Sequence, residues 1–484
     1  MKSRTILLFL TVILAILFVL SRVFPDEGVD MGNTHLRFTN LHNLLQDREP
    51  VAIKSGDTTI HQSLRLQDSM EYYHRLVDSG DLRFWLPEPH YFDSFWQAVE
   101  TAREQGRMVR ILHYGDSQIE MDHITGRLRA YMQQTYGGGG PGMIPFQTIT
   151  PSFSIRQSSN GELTHLAAFG DSLAVRSKGD YGPMMQSFRL VSGEGATTVK
   201  SSTSSHADSR IKQFSRIKLI YNSHGGMSVD LSTLKGKKEK RHTSISHSGI
   251  ASADFVLDTA TSAFHLAVNG SADLYCILVD DSCGVAVDNI PMRGCSGQQF
   301  TLVGEKMLTE AYNQMDIGMI IMQFGGNSVP YIKDTKAIST YCKSIGKQID
   351  HVRKCCPEAK VLFIGPSDMS HRSRGEMQTY PMLPDLIDSL AATATAHGAA
   401  YWSIYHAMGG WNSMLQWSRQ GLAGSDYIHF SQKGADLMGD NLAKAFDNCH
   451  VLYHLDKRLQ QQKSRAEKSH TAKPKSKRRK GGRR

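Results

Sequence analysis

The sequence predicts an α/β protein: a three-layer α/β/α domain built on a parallel sheet and interrupted by an inserted β-sandwich. Two observations carry this expectation. Short apolar runs alternate with stretches of helical periodicity over residues 91–145 and again from Gly284 onward, as they do where crossover helices bury strands on both faces. Between these stretches, from about Phe146 to Leu278, Ser, Thr and Gly become common and short alternating runs are separated by turn residues, the signature of antiparallel strands in a sandwich. The 484 residues and 40% hydrophobic content suffice for a large core and a second module. A charged fraction of 21% marks the bulk of the chain as globular.

Each element has its own signal. Phe92, Phe95, Trp96, Val99 and Ala102 fall at helical spacing within residues 91–105. The apolar run 108–114 reads as a buried strand that stops at Gly115-Asp116-Ser117, and residues 119–134 resume helical periodicity through Ile124, Leu128 and Met132. Ser117 is thereby placed at a strand-to-helix turn. The glycines of 137–142 break that helix. They follow a helix and lack a Gly-Lys-Ser/Thr ending, which argues against a phosphate cradle. Within the insert, 216–221, 253–257 and 263–268 read as strands, and the basic cluster 235–241 as a hairpin tip. Strands are then expected at 284–288, 317–322, 360–364 and 400–404, with helices at 300–315, 338–353, 383–397 and 432–447. The resulting organisation is a signal anchor (1–25), an irregular N-terminal region (26–90), the first part of the α/β domain (91–145), the β-sandwich (146–278), the second part of the α/β domain (279–450) and a basic disordered tail (451–484).

The formal charge of +9 is unevenly distributed. Residues 457–484 hold 13 Lys or Arg and the single acid Glu467, a net +12, so the remainder carries −3. With no basic helix or aromatic-basic platform in the body, a nucleic-acid partner is not expected. The tail is too polar to fold alone and suits docking to an anionic envelope polymer. At the other end, Lys2 and Arg4 precede the apolar run 6–20, with no small-x-small cleavage site behind it. This reads as an uncleaved membrane anchor that leaves the body exported on the periplasmic side, a cleaved signal being the alternative. The seven cysteines match no zinc spacing. His113, Asp122 and His123 surround the first block, but Asp122 and His123 are adjacent and so face different sides of a helix, with no further ligand at helical spacing; neither a metal nor any other cofactor is expected.

Four segments end strands with small or polar residues, and open parallel sheets collect their chemistry there. They are Gly115-Asp116-Ser117-Gln118, Arg293-Gly294-Cys295, Gly325-Gly326-Asn327-Ser328 and Asp426-Tyr427-Ile428-His429. Together they supply the parts of an acyl-transfer site. Ser117 is the nucleophile, inert until a base removes its proton. His429 is that base, and Asp426, three residues earlier, orients the imidazole. Asn327 and the backbone N–H groups of Ser117 and Gly294 suit an oxyanion hole, with Gly297 as an alternative to Gly294. Asp116 is expected to brace the turn by hydrogen bonds, and Arg293 either to meet substrate or to be solvated.

In this order the four blocks resemble the SGNH (GDSL-type) hydrolase family, whose members carry a Gly-Asp-Ser block, a glycine block, a Gly-x-Asn block and an Asp-x-x-His block. The resemblance covers residues 109–447 outside the insert. It implies an SGNH-hydrolase-like three-layer fold and an esterase that acts through an acyl-enzyme. Gln118 stands in place of the name-giving Leu and Ser328 in place of a common Asp, which argues against a simple lipase. The resemblance is closer to exported members that remove O-acetyl groups from envelope or plant polysaccharides. The expected partner is accordingly an acylated carbohydrate. The alternatives are an O-acyltransferase with the same three residues, and a carbohydrate-binding envelope protein without activity.

Overall fold

The computed structural model describes residues 29–31, 34–36, 66–71, 83–170, 179 and 181–471. The expected anchor at 1–25 and the tail beyond 471 lie outside the described residues. Among those described, no helix is long and apolar enough to cross a membrane. Residues 66–464 form one compact unit. In the other unit, β1 (Val29–Met31) and β2 (Thr34–Leu36) pair antiparallel.

In the compact unit, helix α1 (Asp93–Ala102) buries Phe95, Trp96, Val99 and Ala102, the stripe its sequence spacing requires. Strand β3 (Met108–Gly115) is buried along its whole length. It does not pass straight into an α-helix. A 3-10 turn, Ser117–Ile119, follows, and α2 (Thr125–Tyr136) begins only after Met121, Asp122 and Ile124 have adopted positive φ. The helix expected from 119 is therefore corrected to start at 125. The cause lies in tertiary structure: the Asp122 carboxylate turns inward to the buried Arg129, whose Nη2 bonds Oδ1 at 2.9 Å. A helix running from 119 would not form this loop.

After α2 the chain enters the inserted module: β4 (Gly142–Ile144), β5 (Ile155–Asn160), β6 (Leu163–Ala167), β7 (Gln186–Leu190), β8 (Glu194–Ser201), β9 (Phe214–Thr233), β10 (Lys240–Ile245), β11 (Gly249–Thr261) and β12 (Ala263–Asp280). All pairings within it are antiparallel. The short strands expected at 216–221 and 263–268 are segments of two much longer ones, β9 and β12, of 20 and 18 residues. Register shifts at Gly270/Ala272 and Leu274/Cys276 bend their ladder. Such bulges let β12 bond β8 near one end and β7 and β4 further along. Residues 235–239 do turn between β9 and β10.

The chain then returns to the parallel sheet through β13 (Gly284–Pro291), α3 (Glu305–Tyr312), β14 (Ile317–Gln323), α4 (Thr335–Cys355) and β15 (Lys360–Gly365). A small hairpin follows, β16 (Ser370–Ser373) with β17 (Glu376–Thr379). The remaining elements are α5 (Leu383–Ala396), β18 (Ala400–Ser403), α6 (Ile404–Ala407), α7 (Ser413–Arg419) and α8 (Gln432–Thr471). Helix α4 shows why these segments fold as they do. Asp334 caps it by accepting from Ala337 N–H at 2.8 Å, and Ile338, Ile345, Ile349 and Val352 form its buried stripe. Losing such a cap costs about 1 kcal/mol. Helix α8 corrects the tail expectation: the chain stays helical past Asp447, through 451–471.

The five-stranded sheet runs β13-β3-β14-β15-β18, all parallel. Alternate side chains serve two cores. Ile111, Ile321 and Leu362 pack with Trp96, Leu128, Met438 and Phe446 of α1, α2 and α8. Leu112, Ile320 and Phe363 pack with Leu308, Ile345 and Leu386 of α3, α4 and α5. This is the expected three-layer sandwich of helices about a sheet. The insert has its own core around Phe188, Phe214, Leu231 and Phe264. A buried ion cluster joins the insert to the sheet. Arg110 of β3 donates from Nη1 to both carboxylate oxygens of Asp288 of β13, at 2.7 and 2.9 Å, and from Nη2 to Asp280 at the end of β12. Asp288 also accepts from Met143 N–H at 2.7 Å, so one carboxylate ties β4, β3 and β13 together.

Candidate active site at the carboxyl edge of the sheet

The carboxyl ends of β3, β14 and β15 surround a cavity of about 220 Å³. Its walls include Asp116, Ser117, Gln118, Asn327, Tyr331 and His429. Ser117 stands on the 3-10 turn that ends β3. His429 sits on the segment leading into α8. Although 312 residues apart in sequence, the Ser117 hydroxyl and His429 Nε2 are 2.9 Å apart. On the other side of the ring, Nδ1 lies 2.8 Å from Asp426 Oδ2. Ionised Asp426 is acceptor-only, so Nδ1 carries the proton and Nε2 is left to accept from Ser117.

Asp426 itself is fixed locally. Its Oδ1 accepts from the backbone N–H groups of Ile428 and His429 at 3.0 and 3.1 Å. Partial burial pushes its pKa up, but the His429 ring and these two N–H donors outweigh it and hold the carboxyl below its usual range. The turn places Tyr427 at a φ of 58°, a left-handed conformation a bulky side chain adopts only when its surroundings impose it.

Asp116 does brace the turn: its Oδ1 accepts from Gln118 N–H at 3.0 Å. It is buried, and burial raises its pKa to about 6 against the lowering pull of that N–H and of His429. Asn327 donates from Nδ2 to Cys295 O at 2.9 Å and makes only a long 3.4 Å contact to Asp116 Oδ2. One amide hydrogen is therefore weakly committed and lies at the cavity wall. Gly294 is placed differently. It lines the adjoining groove with Ser296, Asn327 and Tyr331 rather than the cavity that holds Ser117. Gly297, the alternative, has a structural use: a Cβ there would come within 2.8 Å of the Phe324 ring.

The remaining candidates resolve into structural roles. His113 is buried, bonded through Nε2 to Gln323 Oε1 and through Nδ1 to Thr125 Oγ1, each at 3.0 Å, and burial pushes its pKa down to about 4. Asp122 is taken by Arg129. Arg293 is 75% exposed, with Glu120 at 3.6 Å.

Gln118 is the residue of the site whose contacts sequence reasoning missed. Its Nε2 donates to Ile428 O at 2.7 Å and to Ser367 Oγ at 3.2 Å, and its Oε1 accepts from Phe430 N–H at 3.3 Å. It thus grips the backbone on both sides of His429. The only signal in the sequence was the departure from Leu at that position.

No family model matches the chain, and no curated protein does. Solved structures do. A peptidoglycan O-acetylesterase shares 21% identity at a TM-score of 0.61, over 76% of this chain and 99% of that one. A family two carbohydrate esterase from Cellvibrio japonicus is 9% identical at a TM-score of 0.26, over 62% of this chain and 99% of that one, an overlap too low to bear on the argument. The parallel order and the overlap at 0.61 agree: this chain shares the three-layer α/β/α fold of that O-acetylesterase structure and carries an inserted antiparallel module between its first two sheet strands.

Proposed function

We propose that the protein is a serine-dependent ester hydrolase that removes O-acetyl groups from a polysaccharide, peptidoglycan being the first candidate. The observation that carries this reading is the chain of contacts from Ser117 to His429 to Asp426, at 2.9 and 2.8 Å. Ser117 Oγ attacks the ester carbonyl while His429 Nε2 takes its proton, and Asp426 stabilises the imidazolium through Nδ1. The oxyanion forms against the weakly committed N–H of Asn327 and the backbone N–H of Ser117. His429 returns the proton to the departing sugar oxygen, leaving an acetyl-serine. Water, activated by the same imidazole, releases acetate.

Two features support a short acyl group on a large carrier. The cavity of about 220 Å³ is below the roughly 300–1,000 Å³ of sites that enclose drug-sized ligands. It opens beside the groove of Gly294, Ser296 and Tyr331, where a glycan would lie outside the reacting centre. The similar fold of a peptidoglycan O-acetylesterase agrees with this substrate class. We further propose that the 6–20 run anchors the body outside the cytoplasmic membrane and that the basic tail docks on an anionic polymer.

The test is hydrolysis of p-nitrophenyl acetate and of O-acetylated peptidoglycan, with acetate release measured. Ser117→Ala is expected to abolish both, and to abolish labelling by a fluorophosphonate probe, while thermal unfolding stays as in the parent. Undiminished activity in that variant would overturn the assignment.

A further inference from the structure

Helix α8 carries a second convergence of chemistry-bearing side chains, far from Ser117. His450 and His454 are four residues apart and so share one face of the helix. Glu100 comes from α1. Nε2 of His450 lies 2.8 Å, and Nε2 of His454 2.5 Å, from the same oxygen, Glu100 Oε1. The two imidazole nitrogens are 3.1 Å from each other. All three atoms fall within 4.8 Å of one another.

Protons alone satisfy this arrangement poorly. Glu100 Oε1 needs an N–H from each ring, and two N–H donors then crowd a 3.1 Å gap. A cation at the common focus replaces that crowding with attraction to three lone pairs. We propose that Glu100, His450 and His454 bind one divalent transition-metal ion of the zinc type. Two imidazoles and one carboxylate form a ligand set such ions favour, leaving a fourth position for water. At metal–ligand bonds of about 2.0–2.2 Å, tetrahedral ligand atoms stand about 3.3 Å apart. Binding therefore asks the half-buried side chains, which are 24%, 17% and 40% exposed, to move outward by less than about 1 Å.

An outer contact supports the same reading. Nδ1 of His450 lies 3.0 Å from the Tyr136 hydroxyl. A ligating imidazole usually has such a partner on its other nitrogen, and that partner fixes the ring's tautomer and orientation. The Trp96 ring packs 4.7 Å from His450, holding it from the opposite element. The site is no part of the ester chemistry. His450 is 18 residues beyond Gln432, where α8 starts, or about 27 Å along the helix. The ion's role is to fasten the middle of α8 to α1, remote from His429.

The test uses the full chain, stripped with chelator and titrated with zinc chloride by calorimetry, with thermal unfolding followed in parallel. One ion per chain and a rise in Tm are expected. Glu100→Gln and His454→Ala should each weaken binding by more than about 10-fold and remove the rise in Tm. His454 is exposed enough that its loss leaves the fold intact, checked by circular dichroism and by retained p-nitrophenyl acetate hydrolysis. No saturable binding by the parent chain, or the same affinity in both variants, overturns the proposal.

Discussion

Two charged networks lie at opposite ends of β3 and are built from similar groups, yet they differ in burial. At the carboxyl end, beyond Gly115, Asp426 and His429 are 48% and 47% exposed. Near the amino end, Arg110, Asp288 and Asp280 are 3%, 0% and 5% exposed. A half-exposed ion pair gains little stability because water screens it, and the same openness admits a substrate. A fully buried cluster has no access to substrate, and each charge in it depends on its partners for solvation. On the proposed function, the open network serves the chemistry and the buried one holds the insert on the sheet.

That division is broken most directly by His429→Ala. Hydrolysis is expected to fall by about 10⁴-fold or more, while the unfolding free energy stays within about 0.5 kcal/mol. A large loss of stability with modest loss of activity would reverse the assignment. The converse change is Arg110→Met. It strands Asp288 and Asp280 in the interior, which costs about 3–5 kcal/mol. Denaturant unfolding measures this, and the kcat of the folded fraction should stay close to that of the parent. Unchanged stability would mean that the buried cluster does not fasten the insert.

Asp116 belongs to both descriptions, being buried like the junction but placed at the reactive edge. Its raised pKa of about 6 means that the folded chain still holds a proton where the unfolded chain, near 3.8, has released it. Stability therefore falls as pH rises between about 4 and 6 and stays lower above that window. Asp116→Asn removes the penalty. Thermal melts should show a gain above pH 7 of at most about 3 kcal/mol and a flatter profile between pH 4 and 6. A parallel shift of the whole profile would place the titration on another group.

Much of this arrangement was legible in the sequence, and what was missed shares a physical cause. The apolar alternation of β3, β14 and β15 and the stripes of α1 and α4 are local, so periodicity found them. The blocks at 117 and 327 lie just past strand ends, where small and polar residues replace apolar ones, whereas 426–429 was expected at a strand end and lies instead between α7 and α8. Gly294 was assigned on its block alone, and the structure sets it in the neighbouring groove. The late start of α2 depends on Asp122 reaching Arg129, and the length of β9 and β12 on bulges in a shared ladder. Helix α8 continues past Asp447 because His450 and Tyr453 meet α1 and α2 side chains. Each of these is a tertiary pairing that a window of one element does not contain.

Gln118 is the subtlest such pairing, since its partners lie 310 and 312 residues away. It does not touch the reacting atoms, so its contribution acts through the placement of His429. Gln118→Leu keeps the bulk but removes two donors and an acceptor, leaving Ile428 O and Phe430 N–H without them. With each hydrogen bond worth about 1 kcal/mol net and only part of that reaching the transition state, kcat should fall by about 10-fold, or about 1.4 kcal/mol. KM should hardly change, because the amide's partners are all protein groups. A variant with a normal kcat would show that Asp426 alone suffices to hold the ring, and one with a raised KM would place Gln118 in contact with the glycan.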